Sequence, residues 1–142
     1  MLARRELSEA QVRQRLLRRE HDPDLVDKAV ARLKDERAID DVRVAESIAR
    51  NETSLRKRGR LRVKRKIESA GISSSVAKQA TDETFADLDA DALLDAALAR
   101  RLRHGKAIAS DREFNRLYRY LIGQGFESER VLTALKGRKC ST

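Results

Sequence analysis

Three stretches of this 142-residue chain share one pattern: RQRLLRREHDPDLVDKAV, RVKRKIESAGISSSVAKQA and RLYRYLIGQGFESERVLTAL. Each is a basic helix closing on an apolar residue, then a short break, a capping residue and a second amphipathic helix. Leu17, Ile67 and Leu121 correspond, at offsets of 50 and 54. Recurrence at such a period is the signature of a helical array. A unit of this size cannot bury its own apolar face, so neighbouring units must stack to do it. The pattern predicts an all-α fold of tandem three-helix repeats, stacked into an elongated, curved molecule with the last repeat truncated. Residues 1–54 make the first repeat, 55–106 a second with a basic first helix, and 107–142 a partial third with a basic tail.

Caps place eight helices and no strand. Ser8 with Gln11 three residues on forms a capping box. Asp22-Pro23 opens the second helix, with Asp as cap and Pro at the first helical position. Asp40-Asp41 opens a third, expected to fray near Asn51 to Ser54. The fourth runs from about Arg60 to Ala70, with Gly71 as a left-handed C-cap and Ile72 folding back. Ser73, Asp89 and Ser110 cap the next three, Gly125-Phe126 repeats the Gly71-Ile72 arrangement, and the last helix runs from about Glu127 to Lys136. Residues 137–142 read as a mobile basic tail. Aromatic residues are only 4% and Trp is absent, which argues against a wide sandwich or α/β core. Thin helical layers with narrow apolar stripes suit this chain better.

The charge is concentrated. Lys and Arg number 32 against 23 Asp and Glu, a formal charge of +9. Eight of those cations lie between positions 56 and 66 with no acid among them: Arg56, Lys57, Arg58, Arg60, Arg62, Lys64, Arg65 and Lys66. Without them the remainder is nearly neutral. Val63, Ile67 and Ala70 sit at i, i+4 and i+7, so the basic run also carries a buried stripe. A solvated helix face usually interleaves acids, and like charges at i, i+4 cost roughly a few tenths of a kcal/mol per pair. That cost is tolerated more easily where a polyanion sits on the face. The candidate polyanion-binding residues are therefore these eight, extended by Arg100, Arg101, Arg103 and Lys106. For that second cluster, complementing a helix dipole is an equal explanation. No aromatic residue interleaves the run. Tyr120, off the apolar stripe of its helix, offers the one base-stacking candidate, whereas Tyr118 reads as core.

Catalysis finds no support. His21 and His104 fall at helix ends, where capping or surface roles account for them. Cys140 is the single cysteine, and no Cys/His set has metal-ligand spacing. Asp40-Asp41 and Asp87-Asp89 stand at helix starts, as caps do. No Gly-rich phosphate loop occurs. The expectation is a non-enzyme without metal or cofactor. The opening residues lack the apolar core of a signal peptide, and no apolar run approaches the roughly 20 residues that span a bilayer. A monomer working in the cytoplasm is expected.

Four stretches together resemble the RecX family, regulators of the bacterial recombinase RecA. LARRELSEAQVRQRL (Leu2 to Leu16) resembles the opening helix of that family with its Ser-Glu cap. RAIDDVRVA (Arg37 to Ala45) resembles its turn of an apolar residue, Asp-Asp, then Arg-aromatic-Ala. RGRLRVKRKIESAGIS (Arg58 to Ser73) resembles its basic helix ending in Gly-Ile. Arg101 to Phe126 resembles its last module, which ends in Gly-aromatic. Val44 stands where the family usually has Phe, and Lys57-Arg58-Gly59 where it often has Gly-aromatic-Gly, so this loop is more basic than usual. The resemblance implies a stack of modules in the groove of the filament that RecA forms on single-stranded DNA. There it would inhibit ATP hydrolysis, strand exchange and filament growth. Double-stranded DNA is a second candidate ligand. The charge map alone supports an alternative: a free-standing basic helical protein that binds nucleic acid without a recombinase.

Overall fold

The computed structural model describes residues 6–102 and 106–139. Among these the chain forms eight helices: α1 (Glu9–Arg18), α2 (Pro23–Asp35), α3 (Asp41–Ser54), α4 (Arg60–Ser69), α5 (Ser74–Ala86), α6 (Ala90–Ala99), α7 (Asp111–Gly123) and α8 (Ser128–Lys136). The described residues include no strand, only an isolated parallel bridge between Ile108 and Lys139. The all-α repeat fold read from the sequence is the fold observed.

Most helix starts are local. Ser8 and Gln11 make the reciprocal capping box, and the side chains of Asp22, Asp40, Ser73, Asp89 and Ser110 each accept from a first-turn amide. These bonds satisfy donors that a helix otherwise leaves unpaired. Gly71 (φ 83°) and Gly125 (φ 99°) take the left-handed conformation expected of them, and Ile72 and Phe126 are buried behind them. α3 does not fray. It runs to Ser54, with the Thr53 hydroxyl donating to Ala49 O at 2.8 Å and the Ser54 hydroxyl to Arg50 O at 2.6 Å.

The helices share out their apolar residues among three small cores. Val26, Val30 and Ile39 pack with Val12, Leu16 and Leu33 between α1 and α2. Val44, Ala45, Ala49, Val63, Ile67 and Ala77 lead the core of α3, α4 and α5. Leu94, Leu98, Leu117, Leu121, Phe126, Val131 and Leu135 lead that of α6, α7 and α8. The accessible surface is 10030 Å², against about 7,400 Å² expected of a compact globule of this mass. Three small cores, each with its own perimeter, leave more surface exposed than one core would.

The packing divides the chain differently from the sequence. α3 buries its stripe against α4 and α5 rather than against α1 and α2, and α6 packs with α7 and α8. The complete three-helix blocks are therefore α3–α5 and α6–α8. Among the described residues the two-helix block is the first, not the last. The register also shifts. Leu16, not Leu17, corresponds to Ile67 and Leu121, since Leu17 is 44% exposed while Leu16 packs on the first core. The expected mobile tail is held at its start: Ile108 N–H donates to Arg138 O at 2.8 Å. Residues 140–142 lie outside the described range.

The blocks meet at a repeated joint. The middle helices α1, α4 and α7 are capped at Ser8, Gly59 and Ser110, positions 51 residues apart. The turn that ends the middle helix of one block docks on the start of the middle helix of the block before it. At the α4 start, Gly59 N–H donates to Gln124 O at 2.8 Å and Leu61 N–H to Gly125 O at 3.0 Å. Unpaired amides of one helix end thus meet unpaired carbonyls of another. A Cβ on Gly59 would lie 2.5 Å from the Gly125 carbonyl carbon, and one on Gly125 would lie 2.3 Å from Arg62 N. At the α1 start, the Ser8 hydroxyl donates to Ala70 O, Glu9 N–H donates to Asp41 Oδ1 at 2.9 Å, and a Cβ on Gly71 would meet Ala10 Cβ at 2.4 Å.

Candidate functional site

The basic run begins in the loop between α3 and α4 and continues along α4. Val63 and Ile67 are fully buried, so α4 is pinned by its apolar stripe and the cations must leave by its other faces. The fold then sorts them. Arg60 is spent inside the protein: it pairs with Asp82 on α5 and lies over the Phe85 ring at 5.7 Å. Arg62 donates to Gly123 O at 2.9 Å and so belongs to the joint with the third block. Arg58 is mostly buried, 3.9 Å from the Glu52 carboxylate. Burial pulls its pKa below the ordinary arginine value, Arg62 and Arg56 push the same way, and Glu52 and Tyr120 oppose them. Lys64 lies 4.0 Å from Glu68.

Four cations stay directed outward. Among the described residues, Arg56, Lys57, Arg65 and Lys66 have neither an ion pair nor a side-chain hydrogen bond within the chain. Arg56, Arg65 and Lys66 are exposed and Lys57 is half-buried. Lys57 holds a left-handed backbone (φ 52°), a conformation uncommon for a residue with a Cβ. Arg56 and Lys66 line one open cleft of about 850 Å³, together with Gln11, Ser47, Asn51 and Glu52.

The second basic cluster meets the first. Arg100, the C-cap of α6, reaches back to donate to Leu55 O at 2.8 Å, at the end of α3. Arg101 stacks on the Tyr120 ring at 4.3 Å. The fold thus brings the loop at Leu55 and the Arg100–Arg101 end of α6 into one basic margin; Arg103 and His104 lie outside the described residues. Lys106 is exposed. Tyr120 is half-buried, with the Arg101 guanidinium carbon over its ring.

Two features escaped the sequence reading. Glu52 is 3% exposed in a charged-rich chain. Its signal was present: it falls four residues after Ile48, on the apolar stripe of α3. Leu55 and Leu61, 68% and 50% exposed, flank the basic loop on either side. Grouping of three or more His, Cys, Asp or Glu side chains in metal-binding geometry does not occur among the described residues. Nor is any described helix long and apolar enough to cross a membrane.

Tandem helical blocks, a repeated glycine joint and one basic margin define a helical-repeat protein. The model of RecX, first three-helix domain, matches residues 1–33. The chain is 32% identical over 135 residues to a regulatory protein RecX of Halorhodospira halophila, covering 94% of this chain and 81% of that one. It is 30% identical over 135 residues to a regulatory protein RecX of Chromohalobacter salexigens, covering 95% and 86%. This chain belongs to the RecX family of regulatory proteins. In fold it is similar to a crystal structure of regulatory protein RecX at TM-score 0.74 and 17% identity, covering 92% of this chain. The chain spans 64% of the length of that structure. It is also similar to RecX from Lactobacillus salivarius, at TM-score 0.68 and 23% identity, covering 92% of this chain and 84% of that one.

Proposed function

We propose that this chain is a negative regulator of RecA that lies along the RecA–single-stranded DNA filament and inhibits ATP hydrolysis, strand exchange and filament growth. Family membership supports the regulatory role. The observation that carries the contact surface is the sorting of the cations: Arg56, Lys57, Arg65 and Lys66 stay unpaired among the described residues, and Arg100 and Arg101 draw up beside the same loop. Lys106 extends that margin, while Arg58, Arg60 and Arg62 shape it from inside. Phosphate contacts of this kind give affinity without sequence preference. Adding the protein to RecA on single-stranded DNA lowers ATP turnover on this reading. Unchanged turnover at several-fold excess would overturn it.

The same four unpaired cations also suit binding to bare nucleic acid with no recombinase. The two readings separate on naked DNA. Free-standing binding is tight, and on single strands log affinity falls by about 0.7 per log salt for each phosphate contacted. Weak binding to naked DNA alongside strong inhibition of the filament favours the regulator.

A further inference from the structure

The joint between blocks exists in a third copy. α7 starts as α1 and α4 do, at a cap 51 residues beyond Gly59, and Phe114 stands where Val12 and Val63 stand in the other middle helices. In the first two blocks that helix start is covered by the glycine turn of the next block. In the third, residues 137–139 of the same chain lie against its flank, at Ile108 and Phe114, while Ser110, Asp111 and Arg112 are exposed. Ile108, just before the α7 cap, is 2% exposed, its N–H bonds to Arg138 O at 2.8 Å, and the Lys139 ammonium sits 5.1 Å from the Phe114 ring.

The matching half of such a joint is the turn after α1. It has the same backbone as the two turns that dock: Glu20 is left-handed (φ 63°) at the position of Gly71 and Gly125. His21 follows where Ile72 and Phe126 follow. Both Glu20 and His21 are exposed. At the two formed joints a Cβ on the turn glycine would stand within 2.4 Å of an atom of the preceding block. A glutamate there cannot dock, and a histidine in place of a buried apolar residue adds a polar ring to the contact.

We propose that the α1–α2 turn and the start of α7 are complementary halves of one more joint, through which a second copy of this chain would stack head to tail, and that Glu20, His21 and the 137–139 tail hold it shut. A head-to-tail contact between identical chains does not close on itself and propagates into fibres. Repeat proteins need polar, non-docking ends for this reason. Here the α1–α2 turn is blocked by side chains and the α7 start is flanked by a strap.

Sedimentation velocity over a hundred-fold range of concentration tests this on four proteins: the unaltered chain, Glu20→Gly with His21→Ile, a chain ended after Lys136, and the two changes combined. The first three are expected to stay single copies, and the combined variant to shift to two or more copies as concentration rises. A folded combined variant that stays a single copy overturns the proposal. Equal association by the chain ended after Lys136 alone, with Glu20 in place, also overturns it. Should the shortened chain melt early, hydrogen exchange on the full chain decides: the Ile108 amide is expected to be protected at least ten-fold and to lose that protection in Lys139→Glu. Free exchange at Ile108 in the unaltered chain counts against the strap.

Discussion

Glu52 and Arg58 face each other across 3.9 Å at the edge of the middle block, both largely removed from water. One carboxylate oxygen of Glu52 and Nε of Arg58 are buried without a hydrogen-bond partner. The backbone closes the same loop, with Arg58 N–H donating to Glu52 O at 2.9 Å. The pair therefore fixes the loop that carries Arg56 and Lys57.

Breaking that pair from one side leaves a buried charge alone. Arg58→Met is expected to cost about 3 kcal/mol, and Glu52→Leu together with Arg58→Met to recover most of that, because an apolar pair needs no compensating charge. Urea denaturation of the two variants checks the order. Equal losses would show that the loop, and not the uncompensated charge, sets the cost.

The glycine joint predicts a sharp contrast among three glycines. Gly125→Ala forces a Cβ into the Arg62 backbone at a left-handed φ, and a loss of about 3 kcal/mol is expected. Gly59→Ala meets the opposing turn and loses a comparable amount. Gly123→Ala, with nothing within 4 Å of the added carbon, should gain up to about 1 kcal/mol from helix propensity. Thermal unfolding by circular dichroism measures all three.

Asp82 supplies an acid-side signature. The Lys78 ammonium and then the Arg60 guanidinium hydrogen-bond its carboxylate and hold its pKa near 2, below the ordinary 3.8. Its contribution to stability is complete above pH 3.8 and fades as the pH falls towards 2. Asp82→Asn should remove that portion of the acid loss, seen as a flatter stability profile between pH 4 and 2. A profile unchanged by the substitution would contradict the pairing.

The cations divide into those that hold the fold and those left without a partner group among the described residues. Arg56→Ala with Lys57→Ala should leave stability within about 0.5 kcal/mol, as surface changes do. On the proposed reading, the same pair should weaken binding to the RecA–single-stranded DNA filament and lower its salt dependence. Arg60→Ala with Arg62→Ala should instead lower the melting temperature. Comparing salt titrations with melting curves for the two pairs separates the roles.

The sequence was most informative where causes are local. The caps at Ser8, Asp40 and Ser110, the left-handed turns at Gly71 and Gly125, and the stripe of Val63 and Ile67 each depend on residues within a few positions, so periodicity and capping chemistry disclose them. The division into repeats failed for the opposite reason. A stripe on α3 says that the helix is buried but not against what, and its partners lie on α4 and α5. The off-by-one placement of Leu17 came from matching apolar residues rather than caps.

The candidate site shows the same split. Composition located the surplus charge between residues 56 and 66, because like charges need no partner to be counted. Which cations remain available was settled by groups far along the chain: Asp82 takes Arg60, and Gly123 takes Arg62. The sequence alone determined eight helices, most of their starts and a concentrated positive field, since backbone hydrogen bonding and side-chain periodicity act over three or four residues. Only the tertiary structure decided how those helices form blocks, how glycine joins one block to the next, and which charges face water, because burial and ion pairing depend on distance in space.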